Sequence, residues 1–431
     1  MKIDVAVIGG GPAGCTVARR LARAGIDVHL YAAGGVHGCE GLSRRTHELL
    51  LEEGLQSAAQ VLRGPVSRGG SWGEGRSVSG FEWLVDRADL AAELRKAAVA
   101  DRVILHDDSV LEIEPRANGL RLRTRAGADI QARFVVDARG RRGPEERGPR
   151  MLAIGQRFAR QTPLEPGTSI HALPWGWCWL VLEGRRMWVQ LVSRTRQRHP
   201  ETWLAAAAAT LPALRHALEG AEPTCTLVAR PSHARRAIRP GPDHLFRVGD
   251  AAVGPDPLSG QGVYEALRGA RVVAAAVSSA LAGESVALVQ KFVADRYATI
   301  WERCLSTAAD FYAENIPLGA FWADTARDYR ALVPAAGTAA AAIERRPVMD
   351  GDRILEREVI VTAAQPRGVW LVDDVPLVDL LHYIQRAGNA TLAEAASVLD
   401  RPRPAIAAAV RWLHSAGALS SRAAEGISAG G

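Results

Sequence analysis

A chain of 431 residues, 48% hydrophobic and 23% charged, has the size and mix of a globular protein with more than one domain. Its net charge of +6 is carried almost wholly by arginine, since Lys2, Lys96 and Lys291 are the lysines, and the scattered positives argue against a nucleic-acid surface. No run of about 18 apolar residues marks a membrane span, the N-terminus lacks the pattern of a secretory leader, and the five cysteines form no Cys-x-x-Cys pair that would suggest zinc or a thioredoxin-like centre; the expected home is the cytoplasm, where thiols stay reduced.

Residues 3–8 read as a buried strand, 12–24 as a helix and 28–32 as a second strand, the start of a βαβ unit. Between strand and helix lies Gly9-Gly10-Gly11-Pro12-Ala13-Gly14, a G-x-G-x-x-G run. Gly9 permits the tight turn, Gly11 lets a pyrophosphate approach the backbone, and Gly14 lets helix pack on strand. The helix start, with Pro12 and Ala13 in its first turn, supplies amide donors and a positive dipole end. A plain glycine turn is the bland alternative; the placement favours dinucleotide binding. In such a unit the second strand ends in Asp or Glu, which holds the ribose hydroxyls. Here Ala32 follows Tyr31, and the next carboxylate, Glu40, lies beyond the Gly34-Gly35 turn. Loss of a charge-assisted hydrogen bond of about 1.5–3 kcal/mol predicts weak cofactor retention.

Residues 84–98 carry apolar positions at helical spacing, with Asp86 as N-cap. Strands fill 103–136, with turns at 117–119 and 126–127. Alternating stretches over 152–200 suggest a mixed sheet, 201–218 a surface helix, 245–281 a strand, loop and long helix, and 285–330 amphipathic helix. The alanine-rich stretch 331–350 marks a boundary. Three further helices are expected at 376–387, 391–399 and 403–416. Thr391-Leu392-Ala393-Glu394 is a capping box, Asp400-Arg401-Pro402 a short turn of helix-turn-helix type, and Gly417 a helix stop. The tail after Ser420 reads as disordered.

Several segments together resemble the FAD-dependent aromatic hydroxylases and the halogenase-like flavoproteins related to them. Gly249-Asp250, then Asp256-Pro257-Leu258-Ser259-Gly260-Gln261-Gly262 before a helix, resembles their GD motif and flavin-facing loop. Val135-Val136-Asp137-Ala138-Arg139-Gly140 resembles their DG fingerprint in altered order. Glu40 to Thr46 and Val85 to Leu90 resemble segments whose arginines face the cofactor, which fits Arg45 and Arg87. The resemblance covers 1–330 and implies FAD contacts from Gly9, Gly11, Pro12, Ala13, Gly14, Arg45, Arg87, Gly249, Asp250, Pro257, Gly260 and Gly262. Glycines let the backbone lie against a flat ring, and a helix start stabilises negative charge on reduced flavin. The implied fold class is α/β with an α+β substrate part: a Rossmann-type FAD-binding domain at 1–150 and 230–330, and a mixed-sheet substrate domain at 151–229. A linker at 331–364, a winged-helix-like domain at 365–420 and a tail at 421–431 complete the chain.

The implied chemistry is oxygen transfer to an electron-rich ring through a flavin C4a-hydroperoxide, without metal, with electrons from NAD(P)H or a separate flavin reductase. Gly176-Trp177-Cys178-Trp179 resembles the Gly-Trp-x-Trp of flavin halogenases but continues Leu180-Val181 where those have Ile-Pro. Those enzymes need a lysine, and none of the three lies in a site segment, which disfavours halogenation. Trp175, Trp177, Trp179 and Trp188 read as core. A halogenase-like flavoprotein without that lysine, and with a winged-helix-like tail, is similar to the flavin monooxygenases that mature the cysteine tryptophylquinone cofactor of quinohemoprotein amine dehydrogenase. That likeness implies a polypeptide substrate, a tryptophan of a small crosslinked subunit, with the tail docking protein in preference to DNA. The alternatives are a small-molecule aromatic hydroxylase or halogenase, and a flavin-responsive regulator using Arg403, Arg411 and His414 on DNA. By residue type, Glu40, His171, Asp256 and Glu265 are candidate general bases; Cys39 reads as a buried thiol.

Overall fold

The computed structural model describes residues 1–34, 38–73, 76–77, 79–141, 145–194, 202–238, 241–334, 340–388, 390–421 and 427. Gly35, part of the alanine-rich stretch and nearly all of the tail lie outside the described residues. The chain divides into two units, Met1–Ser278 with Arg296–Val333, and Ser279–Asp295 with Pro334–Gly431.

In the first unit, strand β1 (Lys2–Ile8) is apolar on both faces and buried from Val5 to Ile8, as a central parallel strand must be. Helix α1 (Pro12–Arg23) starts with proline at its first position and buries Cys15, Val17, Ala18 and Leu21 at helical spacing. It leads to β2 (Val28–Tyr31), parallel to β1. Among the described residues these strands lie in a seven-stranded sheet. Ile104–His106 flanks β2, and Asp129–Asp137 flanks β1 on the other side. Leu245–Arg247 joins Asp129–Asp137 in parallel, so two distant chain segments meet at the same sheet end.

The second sheet is wider than the sequence pattern suggests. Its long antiparallel pair, Leu152–Leu173 and Gly176–Ser193, also recruits Arg63–Trp72, Gly80–Asp86 and β3 (Cys39–Leu42). Gly64, Gly69 and Gly70 break the alternation that would announce a strand at 63–72. The helix expected over 84–98 is Arg87–Ala100, and residues 84–86 finish a strand. Asp86 sits at the N-cap but caps nothing, because its carboxylate is taken by Arg157 and by Arg63 at 3.8 Å. The helix expected over 201–218 is two, split where Pro212 opens the second.

Beneath this sheet, Tyr312, Phe321, Trp322 and Tyr329 from the helices Val286–Ala313 and Ala320–Arg330 pack with Trp72 and Trp177. Trp175 packs on Trp203 at 5.9 Å between ring centres, Trp188 is buried, and Trp179 is half-buried.

In the second unit, the stretch expected as a linker contains an antiparallel hairpin, Ala342–Asp350 with Arg353–Val361; charged residues and Pro347 mask its pattern in the sequence. The three helices are Leu377–Ala387, Leu392–Leu399 and Arg403–Ser415, packed through Leu380, Leu381, Ile384, Ile406, Val410 and Leu413. Thr391 Oγ1 accepts from the Glu394 amide at 3.2 Å, and Glu394 Oε2 accepts from the Thr391 amide at 2.9 Å, closing the capping box. Among the described residues no helix is long and apolar enough to cross a membrane.

Candidate functional site

The glycine loop shows a division of labour in space. A Cβ added to Gly9 would lie 2.4 Å from the Ala138 carbonyl oxygen, and one on Gly14 would lie 1.9 Å from that of Gly9. Those two glycines are needed for close packing. A Cβ on Gly11 would meet nothing within 4 Å, and Gly11 caps α1 with no side-chain acceptor. The first-turn amides of α1 therefore have neither an intrahelical partner nor a side-chain cap, beside open space.

Two more segments converge on this loop. Asp137 ends its strand and accepts from Arg139, through the amide at 3.1 Å, Nε at 2.9 Å and Nη2 at 2.8 Å. Burial alone would raise the Asp137 carboxyl; the hydrogen bonds and charge of Arg139 outweigh it and hold the group below its ordinary range. This locks the turn that brings Ala138 against Gly9. The third segment starts at Gly249, in the left-handed region at φ +60°, where an added Cβ would lie 2.9 Å from that of Ala13. The GD segment thus abuts the first turn of α1. Asp250, 37% exposed in its side chain, accepts from Arg141 Nε at 3.2 Å, and Arg141 Nη1 donates to the His233 carbonyl at 2.7 Å.

Beyond Asp250 the loop is fixed from below. Asp256 accepts from the Leu258 amide at 2.9 Å, from Tyr329 Oη at 2.6 Å and from Tyr312 Oη at 3.4 Å. Burial pushes its carboxyl up to about 6, against the pull of those hydrogen bonds. Above it, Pro257–Ser259 makes one 3-10 turn, Gly260 is left-handed at φ +62°, and Gly262 opens the helix Gly262–Leu281. A Cβ on either glycine would meet nothing within 4 Å. This leaves an open backbone surface, a shape that suits a flat ring.

Arg87, at the start of its helix, pairs with Glu40 on β3 and feels the charge of Asp250. Arg230 lies beside both: its Nη2 is 3.1 Å from where a Cβ on Gly38 would stand. Burial, then the charges of Arg87 and Arg141, lower its basicity. Arg87, Arg141 and Arg230 with Glu40 and Asp250 form one charge cluster. Arg45 is not brought into it: it is exposed in the first turn of α2 (Arg44–Glu52), a helix capped by Ser43.

The candidate bases are all engaged. Glu40 is held by Arg87, and Glu265 is buried against Arg303 at 2.6 Å. His171 meets Ser71 Oγ at 3.2 Å and Ser169 Oγ at 3.0 Å, and burial lowers its basicity, favouring the neutral ring. The structure speaks against Asp256 as an accessible base: it is 2% exposed and serves as the anchor of the loop. Cys39 is buried, and burial pushes its thiol up to about 12. Sequence reasoning missed Arg95, Arg141, Arg230 and Glu82. Arg141 sits one residue past the Asp137–Gly140 motif, a signal that was legible. Glu82 is a buried carboxylate whose Oε1 accepts from Trp179 Nε1 at 3.4 Å, and Gly41 leaves it room: a Cβ there would lie 2.4 Å from its Oε2. Such pairings across strands leave no trace in spacing. Among the described residues no cluster of His, Cys, Asp or Glu could hold a metal ion.

Residues 7–67 match the model of the NAD(P)-binding Rossmann-like domain. A tryptophan 2-halogenase of Chondromyces crocatus is 27% identical over 357 residues, covering 72% of this chain and 68% of that protein. The 3-amino-4-hydroxybenzoate 2-monooxygenase PtmB3 of Streptomyces platensis is 31% identical over 157 residues, which span 32% of this chain and 39% of that one. Among solved structures, the peptidyl tryptophan dihydroxylase QhpG, described as essential for tryptophylquinone cofactor biogenesis, superposes with a TM-score of 0.79 at 29% identity, over 97% of this chain and 100% of that one. Together with the glycine loop, the GD segment and the open loop that meets them, these likenesses support an oxidoreductase similar to the FAD-dependent aromatic hydroxylases and halogenases.

Proposed function

We propose that this chain is a flavin monooxygenase that dihydroxylates a tryptophan within another polypeptide, during biogenesis of a tryptophylquinone cofactor. The observation that carries this reading is the end-to-end likeness to a peptidyl tryptophan dihydroxylase, 97% of one chain and 100% of the other, which takes in the C-terminal unit as well as the cofactor cradle. The match to a tryptophan halogenase supports an indole as the ring attacked. Hydroxylation is favoured over halogenation by the lysines. Lys96 pairs with Glu93 at 2.6 Å and Lys291 with Asp295 at 2.8 Å, both partly exposed on helices, and Lys2 is exposed at the start of β1.

When bound, FAD supplies the two-electron activation of oxygen. The protein holds and orients. The first-turn amides of α1 take the pyrophosphate beside Gly11, Asp250 takes a flavin-chain hydroxyl, and the open backbone at Gly260 to Gly262 faces the ring, with the helix dipole behind it stabilising negative charge. Arg87 and Arg230 add positive charge at the same cluster. Electrons come from NAD(P)H or a separate flavin reductase, and the C-terminal unit docks the polypeptide. The test is mass spectrometry of a tryptophan-bearing subunit co-expressed with this chain. A gain of two oxygen atoms on one tryptophan is expected. Halogen incorporation, or turnover confined to free aromatics, overturns the reading.

A further inference from the structure

In a dinucleotide-binding βαβ unit, the carboxylate ending the second strand accepts from ribose hydroxyls, whereas a nearby arginine accommodates a phosphate on that ribose. Here the strand runs into Ala32, 5% exposed, and the residues from Ala32 to Cys39 include no Asp or Glu. The helix Arg87–Ala100 delivers Arg95 to the same place. Its Nε donates to the Gly10 carbonyl at 3.3 Å and its Nη2 to the Gly34 carbonyl at 3.4 Å. A Cβ on Gly10 would stand 2.5 Å from the Ala32 Cβ and 2.8 Å from Arg95 Nε. Loop, strand end and guanidinium thus share one spot. Burial pushes the Cys15 thiol, in the first turn of α1, up to about 12, and Arg95 is foremost among the charges opposing that, so its field reaches the helix start. Among the described residues no carboxylate pairs with Arg95, and two long carbonyl contacts leave most of its five N–H donors uncommitted.

We propose that Arg95 replaces the missing carboxylate as the ribose-recognising group, so that this subsite favours adenosine nucleotides carrying a phosphate on the ribose. The inference rests on the reading of this loop as the adenosine end of the flavin site. Adding a charge-assisted contact where most such folds place a repelling carboxylate turns a discrimination against ribose phosphates into a preference for them. Phosphorylated dinucleotides then compete with FAD for its adenosine end.

The experiment is displacement of FAD from the purified protein, followed by flavin fluorescence, with adenosine 2′,5′-bisphosphate and adenosine 5′-monophosphate as competitors. The bisphosphate is expected to displace FAD at a concentration roughly tenfold lower than the monophosphate. Arg95→Gln should bring the two competitors level when each is referred to that variant's own FAD affinity, and Arg95→Lys should retain a preference; thermal unfolding of each variant confirms that it is folded. A wild-type preference for the monophosphate, or an unchanged ratio in folded Arg95→Gln, overturns the inference and leaves the flavin site standing. Bound FAD that neither nucleotide displaces overturns the inference alone, whereas failure of the purified protein to bind FAD overturns the flavin-site reading on which it rests.

Discussion

The two ends of the cofactor cradle are built on different principles. At the glycine loop, the fit is a matter of backbone: Gly9 and Gly14 are packed so closely that no side chain can replace their hydrogens, and the ligand-facing groups are uncapped amides. At the Asp256–Gly262 loop, the fit is a matter of buried side chains. Asp256 is anchored by two tyrosines and a backbone amide, and the open glycines ride above it. The first end tolerates no change of shape at Gly9 and Gly14, and Ala32 places no carboxylate at its strand end. The second tolerates small changes of shape but depends on a protonation state. The cradle thus relies mainly on backbone at the end where sequence pattern is strongest and on buried side chains at the other.

Breaking the first end has the largest expected effect. Gly14→Ala forces a carbon into the Gly9 carbonyl, and should cost about 3 kcal/mol or more in stability while abolishing flavin binding; thermal unfolding and flavin titration measure both. Its counterpart, Asp250→Ala, removes a half-exposed carboxylate and should leave stability within about 1 kcal/mol while abolishing flavin-dependent activity. Wild-type activity in that variant would refute the assignment of Asp250.

A middle-sized effect comes from the second end. Because burial raises Asp256 to about 6, its stabilising contribution is fully present below the unfolded carboxylate's value near 4 and is lost as pH rises through about 6. The total is of order 3 kcal/mol. Urea unfolding across that window should show the fall, and Asp256→Asn should flatten it; an equal slope in the variant would show that other groups carry it. The smallest effect belongs to Arg45. Exposed and outside the charge cluster, Arg45→Ala should change stability by less than about 0.5 kcal/mol and flavin affinity less than severalfold. A large loss of affinity would bring Arg45 back to the cofactor.

What could be read beforehand follows the same contrast. The G-x-G-x-x-G run, the capping box at Thr391 and the three C-terminal helices are local, with spacing that carries its own geometry. The strand Arg63–Trp72 was illegible because its glycines erase alternation, and the hairpin at 342–361 because charged residues and proline fill it. Side-chain partnerships across the fold were illegible for a different reason. Glu82 with Trp179, Asp256 with Tyr329, and Arg95 with Gly10 each join residues from separate elements, and no periodicity in one element specifies its partner in another. So the cradle's outline was visible from sequence, whereas the fate of every proposed base was decided by neighbours.

The contact between Gly249 and Ala13 sets a condition on assembly. The glycine loop is made first on the ribosome, yet the segment that closes against it emerges only after the whole second sheet has been synthesised. Contacts between such distant residues form late and slowly. A flavin cradle is therefore complete only once the chain through Gly262 has been made, and a fragment truncated before Gly249 should emerge colourless however well its first βαβ unit folds.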